Sequence, residues 1–195
     1  MKNILLELLP TQPKVGKVTF IAVDGHGGSG KSTLAKLLSE KLNAEIIHTD
    51  DFTGWNKPLD KWMNVIKEVF EPINANAKTL TYKPASWWEN HHPAVIENQP
   101  VTEIMILEGV SSARKEFDDY ISYRIFVDTP KEICLERGLA RDTGTGKDKN
   151  ELTKIWEEWF DEEDAYMEND DPKAKADLVI DGTVPFEEQI SFEIN

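Results

Sequence analysis

The strongest constraint on the fold is the segment Gly25–Ser32, which reads Gly-His-Gly-Gly-Ser-Gly-Lys-Ser. Its spacing matches G-x-x-x-x-G-K-[ST], a loop whose backbone N–H groups surround the phosphates of a nucleoside triphosphate. In that pattern Lys31 places a positive charge beside the β- and γ-phosphates, and Ser32 offers its hydroxyl to Mg²⁺. The positive end of the helix that follows points at the same phosphates. The segment therefore predicts a site for a nucleoside triphosphate and Mg²⁺, and it leaves the choice between ATP and GTP open.

The same glycines also fit a second phosphate-binding pattern. Gly25, Gly27 and Gly30 spell G-x-G-x-x-G, and Asp50 follows about 20 residues later, as the dinucleotide fingerprint requires. The lysine and serine that end the segment favour the triphosphate, because a dinucleotide site has no use for them at the start of its helix.

The sequence on either side of the loop predicts a strand before it and a helix after it. An apolar, β-rich run precedes the loop at Val18–Val23, and apolar residues recur at helical spacing over Ser32–Leu42. The predicted donor-binding residues are Gly25, His26, Gly27, Gly28, Ser29, Gly30, Lys31, Ser32 and Thr33.

Strand and helix patterns alternate along the rest of the chain. This alternation predicts an α/β P-loop NTPase fold, a five-stranded parallel sheet with helices on both faces, in one domain spanning residues 1–195. The predicted strands are residues 18–23, 44–48, 103–108, 123–128 and 176–181, and the later helices are 58–70, 112–119, 130–142 and 149–169.

Acidic residues follow two of the predicted strands. Ligands of open parallel sheets bind at the carboxyl ends of the strands, where Asp50, Asp51 and Glu108 lie. Asp50 is the candidate base that accepts the proton of an acceptor hydroxyl, and it is also a candidate Mg²⁺ ligand. Glu108 and Ser32 are the other candidate Mg²⁺ ligands. Asp50 and Glu108 also fit ordinary turn and strand-end residues, and Asp51 fits a helix cap.

Two further segments are candidates for substrate contacts. Residues 52–100 are long, irregular and rich in Trp, Pro and His, which predicts a substrate-binding insertion. Arg137 and Arg141, four residues apart on a helix, precede a glycine-containing stretch, so residues 137–149 are predicted to form a lid with both arginines as catalytic cations. Solvated ion pairs are the alternative for these arginines. The acidic run Asp161–Asp164 is interpreted as a solvated face.

The charge of the chain limits its partners. The formal net charge is −14 and the sequence pI about 4.7, which disfavours nucleic acid and anionic membranes as partners. The N-terminus does not fit a signal peptide, and Cys134 is the only cysteine, so a cytoplasmic location is expected. A small-molecule acceptor is the expected partner, and the sequence leaves a homo-oligomer open.

Five short motifs, in this order, resemble those of uridine kinases and related P-loop nucleoside kinases. They are Gly25–Ser32, Thr49–Phe52, Leu107–Val110, Phe126–Thr129 and Arg137–Asp142. The resemblance implies that Asp50 is the catalytic acidic residue, that Glu108 is the Mg²⁺-associated carboxylate and that the two arginines contact phosphates. The chain departs from the family in residues 143–149, which have lysines where another arginine is expected, and in residues 81–92, which do not match the base-reading pattern.

These features predict an ATP- and Mg²⁺-dependent kinase that phosphorylates a hydroxyl of a small molecule, with the 5′-hydroxyl of a nucleoside such as uridine or cytidine as the favoured acceptor. The alternatives are a P-loop kinase acting on ribosylnicotinamide, pantothenate, a sugar or a nucleoside monophosphate, and a nucleotide-binding switch that transfers no phosphate.

Overall fold

Strands and helices alternate in a computed structural model that describes residues 1–8, 10–52, 62–84, 95–143 and 148–192. In chain order the elements are β1 (Lys2–Asn3), α1 (Ile4–Leu8), β2 (Thr19–Asp24), α2 (Lys31–Leu42), β3 (Glu45–His48), α3 (Trp62–Val65), α4 (Glu71–Asn74), β4 (Thr79–Tyr82), β5 (Ile96–Pro100), β6 (Ile104–Glu108), β7 (Tyr123–Asp128), α5 (Lys131–Asp142), α6 (Lys149–Asp170), β8 (Leu178–Asp181) and β9 (Ile190–Ser191). Short 3-10 turns occupy Thr49–Phe52, Lys115–Phe117 and Phe186–Glu188, and a π-helical turn, Ile66–Phe70, joins α3 to α4.

The central sheet has five parallel strands in the order β3-β6-β2-β7-β8. Ala22 in β2 pairs with Leu107 in β6 on one side and with Arg124 in β7 on the other. The predicted five-stranded parallel sheet is confirmed. Because all five strands run the same way, the ends of β2, β3 and β6 meet at one edge, which is where ligands of such sheets bind.

Helices cover both faces of this sheet, as predicted. Side chains alternate along a strand, so Phe20 and Ala22 belong to one apolar cluster while Ile21 and Val23 belong to another. The helical segment 62–74 packs on the first cluster through Val65, Val69, Phe70 and Ile73. Helices α1 and α2 pack on the second through Ile4, Leu8, Leu34, Ala35 and Leu38.

The predicted helix at residues 112–119 is wrong. The helical structure there is a single 3-10 turn, Lys115–Phe117. The backbone of Arg114, inside the predicted helix, is extended with a ψ of 155°, and Ser111 just before it has a φ of 68°, so neither residue has helical geometry. The N–H groups of Ser111 and Ala113 donate to the buried carboxylate of Asp24, at 3.2 and 2.8 Å, which holds this turn in place.

The insertion contains regular structure that its weak periodicity does not reveal. Strands β4 and β5 pair antiparallel as a hairpin, which shifts register between Leu80 and Tyr82. Residues 53–61 and 85–94 lie outside the described residues, and so do the aromatic and histidine candidates they contain: Trp55, Trp87, Trp88, His91 and His92. Across the described parts of the chain, no helix combines the length and apolarity needed to cross a membrane.

Candidate active site

The phosphate-loop motif forms the turn between β2 and α2. Gly30 precedes α2 with a φ of 106°, and Gly28 has a φ of 77°, conformations that side chains disfavour. A Cβ on Gly28 would also overlap the carbonyl oxygen of Cys134 in α5. The loop backbone is therefore packed against its surroundings, and the amides of Lys31 and Ser32 in the first turn of α2 lack intrahelical acceptors and can bind an anion. The amide of the predicted residue Thr33 instead donates to the Gly30 carbonyl oxygen at 3.1 Å. This arrangement fits a polyphosphate.

Lys31 folds back over the loop. Its side chain is 6% exposed, and its Nζ donates to the carbonyl oxygen of His26 at 2.7 Å. The ammonium is thereby held inside the curve of the loop, where the pattern places the β- and γ-phosphates.

Ser32 and Glu108 meet at the carboxyl edge of the sheet. The Ser32 hydroxyl donates to Glu108 Oε1 at 3.0 Å, and His48 Nδ1 lies 2.6 Å from Glu108 Oε2. Burial alone would raise the pKa of Glu108, but the hydrogen bond to His48 and the charge of Lys31 hold that pKa below its usual range. Glu108 is therefore a carboxylate at neutral pH. His48 was not assigned a role from the sequence.

Asp50 lies in the 3-10 turn after β3, with part of its surface open to solvent. The protein around its carboxyl desolvates it and raises its pKa to about 6, and repulsion by Glu108 adds to the rise, while Lys31 opposes it. The Asp50 carboxyl is therefore within electrostatic reach of Glu108, Lys31 and His48. Its neighbour Asp51 is buried and accepts a hydrogen bond of 3.1 Å from the Tyr82 hydroxyl of the β4–β5 hairpin.

The two predicted lid arginines have different surroundings. Arg137 donates to the carbonyl oxygens of Ser29, at 3.3 Å, and Gly182, at 3.0 Å, so it lies against the phosphate loop. Arg141 is 65% exposed; its Nε donates to Asp142 at 2.7 Å, and its guanidinium lies 5.5 Å from the centre of the Trp156 ring. Residues 144–147 of the predicted lid are outside the described residues.

Helix α6 contacts the phosphate loop through an acidic residue. Glu163 is 6% exposed, and its Oε2 lies 3.0 Å from both the Gly27 nitrogen and His26 Nδ1. The interpretation of the run Asp161–Asp164 as a solvated face is therefore wrong for Glu163. The spacing between Glu163 and Trp156 could have predicted this burial, because residues seven apart share one face of a helix and Trp156 is buried.

Asp24 is a second acidic residue whose role the sequence did not indicate. It is fully buried at the end of β2 and accepts hydrogen bonds from the amides of Gly25, Ser111 and Ala113 and from the Tyr166 hydroxyl. Burial raises the pKa of this carboxyl, although the hydrogen bonds oppose that rise. Asp24 thus joins the start of the phosphate loop to the turn after β6 and to α6.

A Mg²⁺ ion at this edge would draw only part of its coordination from the protein. Within the described segments, no group of three or more His, Cys, Asp or Glu side chains is arranged to hold a metal. The Ser32 hydroxyl with the carboxylates of Glu108 and Asp50 supplies oxygen donors. Mg²⁺ commonly takes one or two carboxylates and completes its octahedron with phosphate oxygens and water, so the arrangement fits a nucleotide-bound Mg²⁺.

The chain matches a known protein family over most of its length. The AAA domain family (AAA_18) matches residues 21–164, which run from β2 into α6. The chain belongs to this P-loop family. Uridine kinase from Alkaliphilus metalliredigens (strain QYMF) is 30% identical over 142 residues, which cover 63% of this chain and 67% of that protein. Within the family the chain is a divergent, uridine kinase-like member.

A yeast relative and a solved structure are also similar to this chain. Uridine kinase from Saccharomyces cerevisiae (strain ATCC 204508 / S288c) is 24% identical over 160 residues, which cover 71% of this chain and 32% of that protein. The chain thus spans about a third of the yeast relative and about two thirds of the bacterial one. A solved structure of a possible uridine kinase from Bacillus stearothermophilus is 21% identical, with a TM-score of 0.59 over 84% of this chain and 89% of that one. This likeness establishes the shared fold.

Proposed function

We propose that this protein transfers the γ-phosphoryl group of ATP, with Mg²⁺, to a hydroxyl of a small molecule. The observation that carries the proposal is the hydrogen bond between Ser32 and Glu108 at the carboxyl edge of the sheet, with Lys31 and Asp50 in electrostatic reach of Glu108. Phosphoryl transfer asks a protein for a phosphate cradle, a placed Mg²⁺ and a group that orients the nucleophile, and this edge offers candidates for each.

The donor would lie along the loop and α2. The amides of Gly28, Gly30, Lys31 and Ser32 and the Lys31 ammonium would bind the β- and γ-phosphates, while Ser32 and Glu108 would hold the metal site. Mg²⁺, when bound, would neutralise the negative charge that the phosphates carry during transfer. Arg137, which already lies against Ser29, is the predicted lid cation nearest to the loop.

Asp50 would act on the acceptor. Its carboxylate would accept the proton of the acceptor hydroxyl as that oxygen forms a bond to the γ-phosphorus. The bond from the γ-phosphorus to the bridging oxygen would break, and its electron pair would leave on ADP. The products are ADP, a phosphorylated acceptor and one proton, so the step needs no further reactant.

The acceptor we favour is the 5′-hydroxyl of a nucleoside such as uridine or cytidine. Support comes from the uridine kinases among the relatives and from the position of the insertion, residues 52–100, next to Asp50. Within it, the Tyr82 hydroxyl donates to Asp51, and the Tyr82 ring packs against Phe52 at a tilt of 32°, with ring centres 4.8 Å apart. We assign the acceptor site to this insertion and the lid to residues 137–149.

A coupled ADP-release assay tests the proposal. ATP and Mg²⁺ are supplied with a panel of nucleosides, nucleoside monophosphates, ribosylnicotinamide, pantothenate and sugars. We expect uridine or cytidine to accelerate ADP release at least tenfold over the rate without acceptor. Acceleration by a different class alone would keep the kinase and replace the acceptor, while equal rates with and without every acceptor would contradict phosphoryl transfer.

A further inference from the structure

One peptide group of the phosphate loop, between His26 and Gly27, is bound on both of its sides. Its carbonyl oxygen accepts hydrogen bonds from Lys31 Nζ at 2.7 Å and from the Ser29 amide at 3.1 Å. Its N–H donates to Glu163 Oε2 at 3.0 Å. The same peptide therefore connects the predicted phosphate-binding lysine to Glu163 of α6, which lies 136 positions after Gly27 in the sequence.

The planarity of the peptide makes these contacts interdependent. In a trans peptide the C=O and N–H bonds lie in one plane and point in opposite directions. Holding the N–H of Gly27 toward α6 therefore directs the carbonyl of His26 toward Lys31. Because Gly27 has no Cβ, rotation of this peptide meets little steric resistance from its own residue. Inside the loop only the carbonyl side of the peptide is bound, by the Ser29 amide and Lys31, so the N–H side is held by a group outside the loop.

Glu163 is suited to enforce it. Burying a carboxylate is costly unless hydrogen bonds compensate, and the single oxygen Oε2 serves both Gly27 and His26. The approach is close: a Cβ on Gly27 would come within 3.0 Å of Glu163 Oε1 and of the Trp156 ring. Glu157, Glu158 and Asp161 of the same helix are exposed, whereas the buried Asp170 accepts a hydrogen bond from the Lys115 amide. The burial of Glu163 thus belongs to its contact with the loop.

We infer that Glu163 is a positioning residue for donor binding, which sets the place of the Lys31 ammonium through the His26–Gly27 peptide. The inference rests on the proposed use of this loop for ATP. Charge-assisted hydrogen bonds are about twice as strong as neutral ones, so a neutral acceptor at position 163 should do part of the work of the carboxylate.

The test compares Glu163→Ala and Glu163→Gln with the parent protein, with Glu158→Ala as the matched control on the same helix. The Kd for ATP–Mg²⁺ is measured by calorimetry, and the KM values for ATP and acceptor by ADP release. We expect the Kd for ATP to rise about tenfold in Glu163→Ala and about threefold in Glu163→Gln, and to change less than twofold in Glu158→Ala. The KM for the acceptor should stay within twofold in both Glu163 variants.

The outcomes separate this inference from simpler effects. An ATP Kd in Glu163→Gln that equals or falls below that of the parent would overturn the inference, because the carboxylate would then contribute nothing or oppose the phosphates. An equal rise in the KM values for both substrates, with a lower melting temperature, would overturn it in favour of a general loss of structure. If Glu163→Ala does not fold, Glu163→Gln decides alone. A parent protein that binds no ATP would overturn the proposed donor and the inference together.

Discussion

Asp50 and Glu108 have the same kind of side chain but lie in opposite electrostatic surroundings. Desolvation and the nearby Glu108 raise the pKa of Asp50 to about 6, whereas hydrogen bonding to His48 and the charge of Lys31 keep the pKa of Glu108 low. Neighbouring acids whose surroundings separate their pKa values commonly have different roles in one site. This contrast is consistent with a proton acceptor at Asp50 and a permanently charged metal-site residue at Glu108.

The variant Asp50→Asn tests whether Asp50 accepts the proton while nucleotide binding remains intact. The amide cannot accept the hydroxyl proton, and general base catalysis contributes about 100- to 10,000-fold, so we expect turnover to fall at least about 100-fold. ADP release measures this loss, and calorimetry should show the Kd for ATP–Mg²⁺ within about threefold of the parent value. The control is Asp119→Asn, an exposed acid in the turn before β7, which should leave both values unchanged. Near-parental turnover in Asp50→Asn would remove Asp50 as the base.

The hydrogen bond between Tyr166 and Asp24 should contribute to stability. The Tyr166 hydroxyl donates at 2.7 Å to a carboxylate that is completely buried. Tyr166→Phe leaves that carboxylate with one donor fewer, so we expect the free energy of unfolding to fall by about 1–3 kcal/mol. Urea denaturation measures it. Tyr120→Phe is the matched control, because the Tyr120 ring stacks on Phe70 and keeps that contact without its hydroxyl. Equal stabilities of the two variants would contradict the account.

Helices α5 and α6 pack together where a glycine meets a tryptophan. A Cβ on Gly138 in α5 would overlap the ring of Trp156, which is 1% exposed. Trp156 also donates from its ring nitrogen to Asp142 at 3.0 Å, and so ties the end of α5 to α6. The pairing holds Glu163, two turns further along α6, against the phosphate loop.

Gly138→Ala should therefore destabilise the protein even though alanine is the better helix former. The gain in helix propensity is at most about 1 kcal/mol, whereas overpacking a tight contact costs about 1–3 kcal/mol. We expect a lower urea midpoint for Gly138→Ala and an unchanged or higher midpoint for Glu136→Ala, an exposed position of the same helix. An increase in stability for Gly138→Ala would show that the α5–α6 contact is looser than described.

Elements with strong local signals were predictable from the sequence, and contacts between distant segments were not. The motif Gly25–Ser32 predicts the phosphate loop, and each strand of the central sheet is a short apolar run. The β4–β5 hairpin escaped prediction because β4 is only half-buried and the pairing crosses a long connection. The burial of Glu163 was not predicted, because a run of acidic residues is normally exposed to solvent and the contact of Glu163 with the phosphate loop joins distant segments.

At the scale of the whole molecule, the strand order assembles the candidate site. Strand β6 lies between β3 and β2, so Glu108 at its end comes to lie between the turn that carries Asp50 and the phosphate loop. The parallel direction of the strands was predictable from the alternation of strands and helices, and it implies that the strand ends converge. The neighbours of each strand depend on tertiary packing, so distances such as the 3.0 Å between Ser32 and Glu108 emerge only from the fold.

³¹P NMR of the reaction mixture tests most directly whether the protein transfers a phosphoryl group to an acceptor. The protein is incubated with ATP, Mg²⁺ and uridine or cytidine, and the spectrum is followed with time. We predict a new phosphomonoester resonance that grows in step with ADP, with no matching rise of inorganic phosphate. ADP and inorganic phosphate that form at the same rate with or without each member of the acceptor panel, with no phosphomonoester, would contradict the account.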